Sequence, residues 1–200
     1  MKEAHNKASE WFDDLYKNNK TSQENIPWAR QSVNPLLQTY LDSIKIHKGK
    51  ALVIGCGLGD DAIALEIAGY DVTAIDVSQT ALDLARKRFG DSSVKFIKQD
   101  IFEYQEQFDF VFEALTIQSL PIEFREKMIK AVAHTVAPQG KLLLVAHKRE
   151  EYFEGPPWPL EATEVDRFKC EGLTELSHEI HTEESKISNS RFRVLYIKKG

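Results

Sequence analysis

A doubly wound α/β fold is predicted, and three observations predict it. Short apolar runs alternate with helix-patterned segments from Lys50 to His147. The first run, Ala51 to Ile54, ends in a turn with glycine at positions 55, 57 and 59. The last, Lys141 to His147, contains LLLVA, fully apolar as expected of a strand covered on both faces. Strands alternating with helices imply a mostly parallel sheet with crossover helices.

Each element follows from local chemistry. Residues 5 to 18 read as a short helix that groups Trp11, Phe12, Leu15 and Tyr16. A polar loop, Asn18 to Asn25, leads to Ile26-Pro27-Trp28. Asn34 is placed to cap a helix with Pro35 at its first position. Leu36, Leu37, Tyr40, Leu41 and Ile44 form its apolar stripe. Ala51 to Ile54 is the first strand, helix 60–68 ends at Gly69, and Val72 to Ile75 is the second strand. Ser78 can cap helix 79–89, which Gly90 stops. Val94 to Ile97 and Phe108 to Ala114 are the third and fourth strands. Pro121 opens a helix with Phe124, Met128, Ile129, Val132 and Val136 on one face, stopped by Pro138 and Gly140. Beyond the fifth strand, Lys141 to His147, lie a Gly/Pro loop and a helix at 161–171. Alternating segments at 173–182 and 190–198 predict a closing antiparallel pair. The expected architecture is one domain over 1–200, with a Rossmann-like, seven-stranded, mostly parallel sheet and a C-terminal antiparallel strand. Within it, about 1–45 would be a helical lid, 48–147 a cofactor-binding core and 148–200 a substrate-side loop, helix and strands.

Bulk properties narrow the function classes. The 200 residues suit one sizeable core, and 42% apolar with 28% charged residues is ordinary for a globular protein. A formal charge of −5 argues against a dedicated nucleic-acid binder, which would present a basic face. Two cysteines, Cys56 and Cys170, make no disulfide framework and fit a reducing compartment. MKEAHNKASEWFDD has no apolar signal core, and no apolar run reaches membrane-spanning length. The expectation is a cytoplasmic protein without membrane or nucleic-acid partners, either monomer or dimer.

The glycine turn and its flanks indicate the cofactor. Gly55, Gly57 and Gly59 let the backbone turn tightly and approach a ligand, with Cys56 a small residue between them. A phosphate-bearing cofactor needs the next helix N-terminus open to anions. Asp60 and Asp61 hold that place, expected there to cap the helix and complement its dipole. They would repel a pyrophosphate, which speaks against a dinucleotide-dependent oxidoreductase. A Walker-type phosphate loop is excluded, since no Gly-Lys-Ser/Thr follows. S-adenosylmethionine carries no phosphate and bears a sulfonium cation, so it meets no such repulsion. Asp76 ends the second strand 21 residues after Gly55, where a carboxylate accepts from ribose hydroxyls, with Val77 beside it. Asp100 is placed to accept from an adenine amino group, next to the Ile101 amide.

These residues resemble a known family. GCGLGD, IDVS, QDIF and FDFVFEALTIQSLP resemble the successive motifs of class I S-adenosylmethionine-dependent methyltransferases over about residues 48–147. Within that superfamily the chain is similar to the thiopurine and thiol/halide methyltransferase group. ALVIGCGLGDD matches that group's glycine turn, Trp11 and Ile26-Pro27-Trp28 its aromatic lid, and Gly155-Pro156-Pro157-Trp158-Pro159 its loop after the fifth strand. Val53 stands where many such enzymes carry an acid, Ile54 where the group often has proline, and Leu15 where a second tryptophan is expected.

The resemblance implies further roles. Glu113, at the end of the fourth strand, would contact cofactor or substrate, against the plainer reading of an acid pointing to water. Trp28 is the best lid residue, since an aromatic face attracts a sulfonium. Trp11, Arg149, Tyr152, Phe153 and Trp158 are candidates for the substrate rim. His147 is a weak candidate proton acceptor, as is Glu113. FEALTIQ contains no Asn/Asp-Pro-Pro-aromatic motif, which argues against adenine-N6 or glutamine-amide methylation. No metal cluster and no acyl-transfer triad emerge. The expected reaction is in-line methyl transfer to a small acceptor, such as a thiol, a halide or a related soft nucleophile. The alternatives are a methyltransferase acting on RNA or protein, or a non-catalytic binding module.

Overall fold

A computed structural model describes residues 11–20, 25–26, 28–44, 48–151, 154–182 and 188–200. The fold is the expected doubly wound α/β class, a seven-stranded, mostly parallel sheet with helices around it. The chain forms two compact units, Met1–Asp100 and Ile101–Gly200.

In the first unit, residues 11–18 are helical (α1). The expected start at residue 5 lies outside the described residues, as does Pro27. Next come α2 (Pro35–Ser43), β1 (Lys50–Ile54), α3 (Asp60–Ile67), β2 (Asp71–Asp76), α4 (Gln79–Arg88) and β3 (Lys95–Lys98). β2 lies between β1 and β3 and is parallel to both, with Ala51 opposite Val72 and Ile54 opposite Ile75. This register aligns the carboxyl ends of β1 and β2, which puts the glycine turn beside Asp76. Two helices start where side-chain caps were expected. Asn34 accepts from the Leu36 amide and Ser78 from the Ala81 amide. The capping role expected of Asp60 and Asp61 is corrected. The N-cap of α3 is Gly59 at φ 89°, with no side-chain cap, and the two aspartates are the first and second residues inside the helix. There they still complement the dipole of the first turn.

The second unit contains β4 (Phe108–Ala114), α5 (Arg125–His134), β5 (Val136–His147), α6 (Ala162–Asp166), β6 (Leu173–Thr182) and β7 (Ser190–Lys198). β4 and β5 are parallel, and β7 runs antiparallel to both β5 and β6. Phe108, Phe110, Phe112, Phe168, Phe192 and Tyr196 fill its core. Three expected boundaries move. Pro121 precedes a 3-10 turn, Ile122–Phe124, and α5 begins only at Arg125. The helix ends at His134, because the Thr135 hydroxyl donates back to the Val132 carbonyl and β5 starts at Val136. Pro138 and Gly140 therefore lie in an irregular stretch of β5, where the register with β4 shifts. Gly140 is needed there, since a Cβ would come within 2.7 Å of the Phe108 carbonyl oxygen. The helix expected at 161–171 is α6 followed by a 3-10 turn, Arg167–Glu171.

Candidate cofactor cradle and substrate-side network

The first unit builds a cradle at the end of β1. Gly55, Gly57 and Gly59 have φ of 63°, 51° and 89°, the left-handed region that favours glycine. The Cys56 amide donates to the Ile75 carbonyl at 3.0 Å and the Gly59 amide to the Cys56 carbonyl at 2.9 Å, so the turn is fastened to β2 and to itself. The Cys56 thiol is buried, and burial pushes its pKa up, away from nucleophile chemistry.

Asp76 closes the cradle from the neighbouring strand. One carboxylate oxygen accepts from the Gly57 amide at 2.9 Å and the other from the Ser78 amide at 2.8 Å. The residue is 8% exposed. Burial raises its pKa, while the Ser78, Gly57 and Val77 amides pull it back. Each oxygen still has acceptor capacity for an incoming hydroxyl. Val77 follows, partly exposed. Asp100 stands partly exposed two residues beyond β3, and Ile101 opens a short 3-10 turn of the second unit.

The N-terminal aromatics lie over this turn. The Trp28 indole donates to the Tyr16 hydroxyl at 2.9 Å. That hydroxyl sits 2.8 Å from where a Cβ on Gly57 would be, so position 57 excludes a side chain by contact as well as by φ. Tyr16 and Ile26 pack with Leu58 and Ala81, and Trp28 borders the cluster. Trp11 stacks on Phe12 at 4.0 Å and meets Trp28 edge-on at 5.8 Å. Asp13 ties the same helix to α4, accepting from the Ser78 hydroxyl at 2.6 Å and the Thr80 amide at 3.0 Å. Burial works against its charge. Hydrogen bonds from Ser78, Lys17 and Thr80 outweigh this and hold the carboxyl well below its usual range. At the start of α3, Asp60 forms a bidentate pair with Arg88 at 2.7 Å, and Asp61 accepts from the Asn34 amide at 2.7 Å.

The second unit carries a buried polar network at the carboxyl ends of β4 and β5. Glu113 is fully buried, so it is not a strand-end acid in water. One of its oxygens accepts from the Ile117 amide at 2.7 Å. Arg125, 2% exposed, donates to the Ile117 carbonyl and to the Trp158 carbonyl, both at 2.8 Å, with its Nε 3.2 Å from Glu164. The Trp158 amide donates to the Gln118 carbonyl at 2.7 Å. The Gln118 side chain accepts from the His147 amide at 2.7 Å. His147 is buried at the end of β5. Arg149 pairs with Glu161 at 2.8 Å and donates to the Pro159 carbonyl at 3.1 Å. These contacts fix the loop bearing Trp158 to the turn after β4. Tyr152 and Phe153 lie outside the described residues.

Sequence reasoning missed Arg125, Gln118, Glu164 and Asp13. A signal existed for Arg125. It shares a helical face with Met128, Ile129 and Val132, and a cation on an apolar stripe demands buried partners. Gln118 and Glu164 gave none, because their partners are distant in sequence. Among the described residues, no group of three or more His, Cys, Asp or Glu could hold a metal ion. No helix among them is long and apolar enough to cross a membrane.

The family model for thiopurine S-methyltransferase matches residues 13–194. Thiocyanate methyltransferase 1 of Arabidopsis thaliana is 27% identical over 183 residues, 86% of this chain and 81% of the relative. A thiopurine S-methyltransferase of Legionella pneumophila is 26% identical over 162 residues, 70% of this chain and 73% of the relative. Among solved structures, magnesium protoporphyrin IX methyltransferase from Synechocystis superposes with a TM-score of 0.74 at 16% identity, covering 96% of this chain and all of the other. A solved structure described by the conversion of a disulfide bond into a thioacetal group during echinomycin biosynthesis gives 0.76 at 20% identity, covering 96% and 93%. At such identities these likenesses show the fold.

Proposed function

Since the chain belongs to the thiopurine S-methyltransferase family, we propose that it transfers the methyl group of S-adenosylmethionine to a small soft nucleophile. A thiol, thiocyanate or halide is the acceptor class, in keeping with relatives named for thiocyanate and thiopurine. The family match spans both compact units, which supports treating residues 1–200 as one catalytic domain.

The observation that carries the reading is the cradle. Three left-handed glycines are clamped to a buried carboxylate through the Gly57 amide at 2.9 Å. Gly55, Cys56, Gly57 and Gly59 would line the methionine side of S-adenosylmethionine. Asp76 and Val77 would meet its ribose, and Asp100 and Ile101 its adenine. Trp28 and Tyr16 would cover it. The donor set fits, since Asp76 offers acceptors to hydroxyls and the acidic start of α3 does not disfavour a cation. When bound, the cofactor supplies a methyl carbon already attached to a good leaving group. The chain's own residues then supply proximity and orientation, which contribute up to roughly 7 to 11 kcal/mol in favourable cases. Trp11, Arg149 and Trp158, with Tyr152 and Phe153, are proposed as the acceptor rim, and His147 and Glu113 as the titratable groups nearest the chemistry. A cytoplasmic setting, where Cys56 and Cys170 would stay reduced, is proposed with it.

The test is production of S-adenosylhomocysteine by purified protein given S-adenosylmethionine and single acceptors: thiocyanate, iodide, small thiols, phenols and amines. Turnover confined to the sulfur and halide acceptors is expected. Turnover of none of them, or of bulk RNA or protein instead, would overturn the proposal.

A further inference from the structure

We propose that Glu113 discriminates between protonated and anionic acceptors: ionised, it takes the proton of a neutral thiol, and protonated, it admits an anion such as thiocyanate. This rests on the reading of the chain as a methyltransferase for small soft nucleophiles.

The geometry is that of a half-occupied carboxyl. Glu113 is fully buried, and one oxygen is held by the Ile117 amide at 2.7 Å. The other, Oε2, is buried with no hydrogen-bond partner among the described residues. Buried polar atoms are almost always partnered, so an orphaned one marks a place where a partner arrives. Glu113 stands at the carboxyl end of β4, the edge where open α/β sheets receive ligands.

The surrounding charges leave the group free to titrate. From α5, Arg125 faces it, but that guanidinium is engaged by the Ile117 and Trp158 carbonyls and by Glu164 of α6. Arg149, after β5, is paired with Glu161 and lies 3.8 Å from Glu164. His147, also buried, closes β5, and its amide is held by Gln118. The Ile117 and Thr116 amides, the Arg125 charge and the Thr116 hydroxyl favour the ionised form. Burial outweighs all of these and lifts the carboxyl to about 7, so both forms are present near neutral pH.

With a thiol, the S–H bond breaks, the proton passes to Oε2, and the electron pair stays on sulfur to accept the methyl group. The proton leaves to solvent when the thioether departs, restoring the carboxylate. Thiocyanate brings no proton, and an ionised Glu113 would set two anions together at low dielectric. Protonated, the same carboxyl offers the anion a hydrogen-bond donor.

Thiocyanate binding is measured by calorimetry on protein saturated with S-adenosylhomocysteine, with kcat/KM for thiocyanate and a small neutral thiol followed in parallel. Thiocyanate is an anion throughout, so any pH dependence of its binding reports on the protein. Between about pH 6 and about pH 8 its affinity is expected to fall roughly tenfold, following the protonated fraction of a group near 7. In Glu113→Gln, which keeps the acceptor for the Ile117 amide, the fall should vanish. Thiol turnover should drop at least about tenfold relative to thiocyanate turnover. A flat wild-type profile, or an equal slope in the variant, overturns the inference alone. Turnover of neither acceptor overturns the functional reading and this inference with it. The wild-type profile decides the matter even if the variant fails to fold.

Discussion

Asp76 holds the turn in place, and the ribose-binding role proposed for it builds on that structural one. Its two oxygens hold the Gly57 and Ser78 amides, so the carboxylate sets the turn before any ligand arrives. Removing it leaves two buried amides unanswered, at about 1–3 kcal/mol each where water cannot replace it. Asp76→Ala is expected to remain folded by circular dichroism yet bind S-adenosylhomocysteine at least about tenfold more weakly in calorimetry. Unchanged affinity in a folded variant would remove Asp76 from the cradle. Position 76 was legible in the sequence because its spacing from the glycine turn follows from two adjacent parallel strands. Tyr16 was legible only as an aromatic near a possible lid. Its bond with Trp28 spans a loop whose conformation local sequence does not dictate.

At the scale of elements, α1 is held to the start of α4 by Asp13, whose carboxylate supplements the Ser78 cap and complements the helix dipole. Asp13→Ala should cost about 1–2 kcal/mol locally, the scale of a lost helix cap. Amides at 11–18 should exchange faster with deuterated water while those of β1 and β2 keep their protection. Equal exchange in the variant and the parent would show that packing of Tyr16 and Ile26 alone holds the helix. The elements themselves were readable wherever a cap or a breaker is local, as at Asn34, Ser78 and Gly90. The reading failed around Pro138, since a proline and a glycine look alike at a helix stop and at a strand bulge. Only the pairing of β5 with β4 separates the two. It failed again at α3, where a left-handed glycine took the cap position ahead of two aspartates.

For the molecule as a whole, buried acids set the pH dependence of stability. Burial raises Glu113 to about 7 and Asp61 to about 6. Folded protein therefore keeps protons that the unfolded chain releases between about pH 4 and about pH 7. Stability of the ligand-free protein should fall as pH rises through that window, by on the order of 2 to 3 kcal/mol from Glu113. Asp13 and Glu66 act with the opposite sign, since both are held below their usual range and lose stabilising bonds on acidification. A stability maximum in mildly acid solution follows. In melting experiments, Glu113→Gln should gain on wild type at pH 8 and not at pH 5, whereas an equal offset at both would contradict the burial argument. The doubly wound class was legible from the alternation of strands and helices. The polar network of Arg125, Gln118 and Glu164 was not, because each bond joins residues that only the folded chain brings together.

A crystal structure with S-adenosylhomocysteine most directly tests the role proposed for the cradle formed by Gly55, Gly57, Gly59 and Asp76. Both ribose hydroxyls are expected on the Asp76 carboxylate, with the homocysteine chain along the glycine turn. Adenosine bound elsewhere, or a ribose turned away from Asp76, would contradict it.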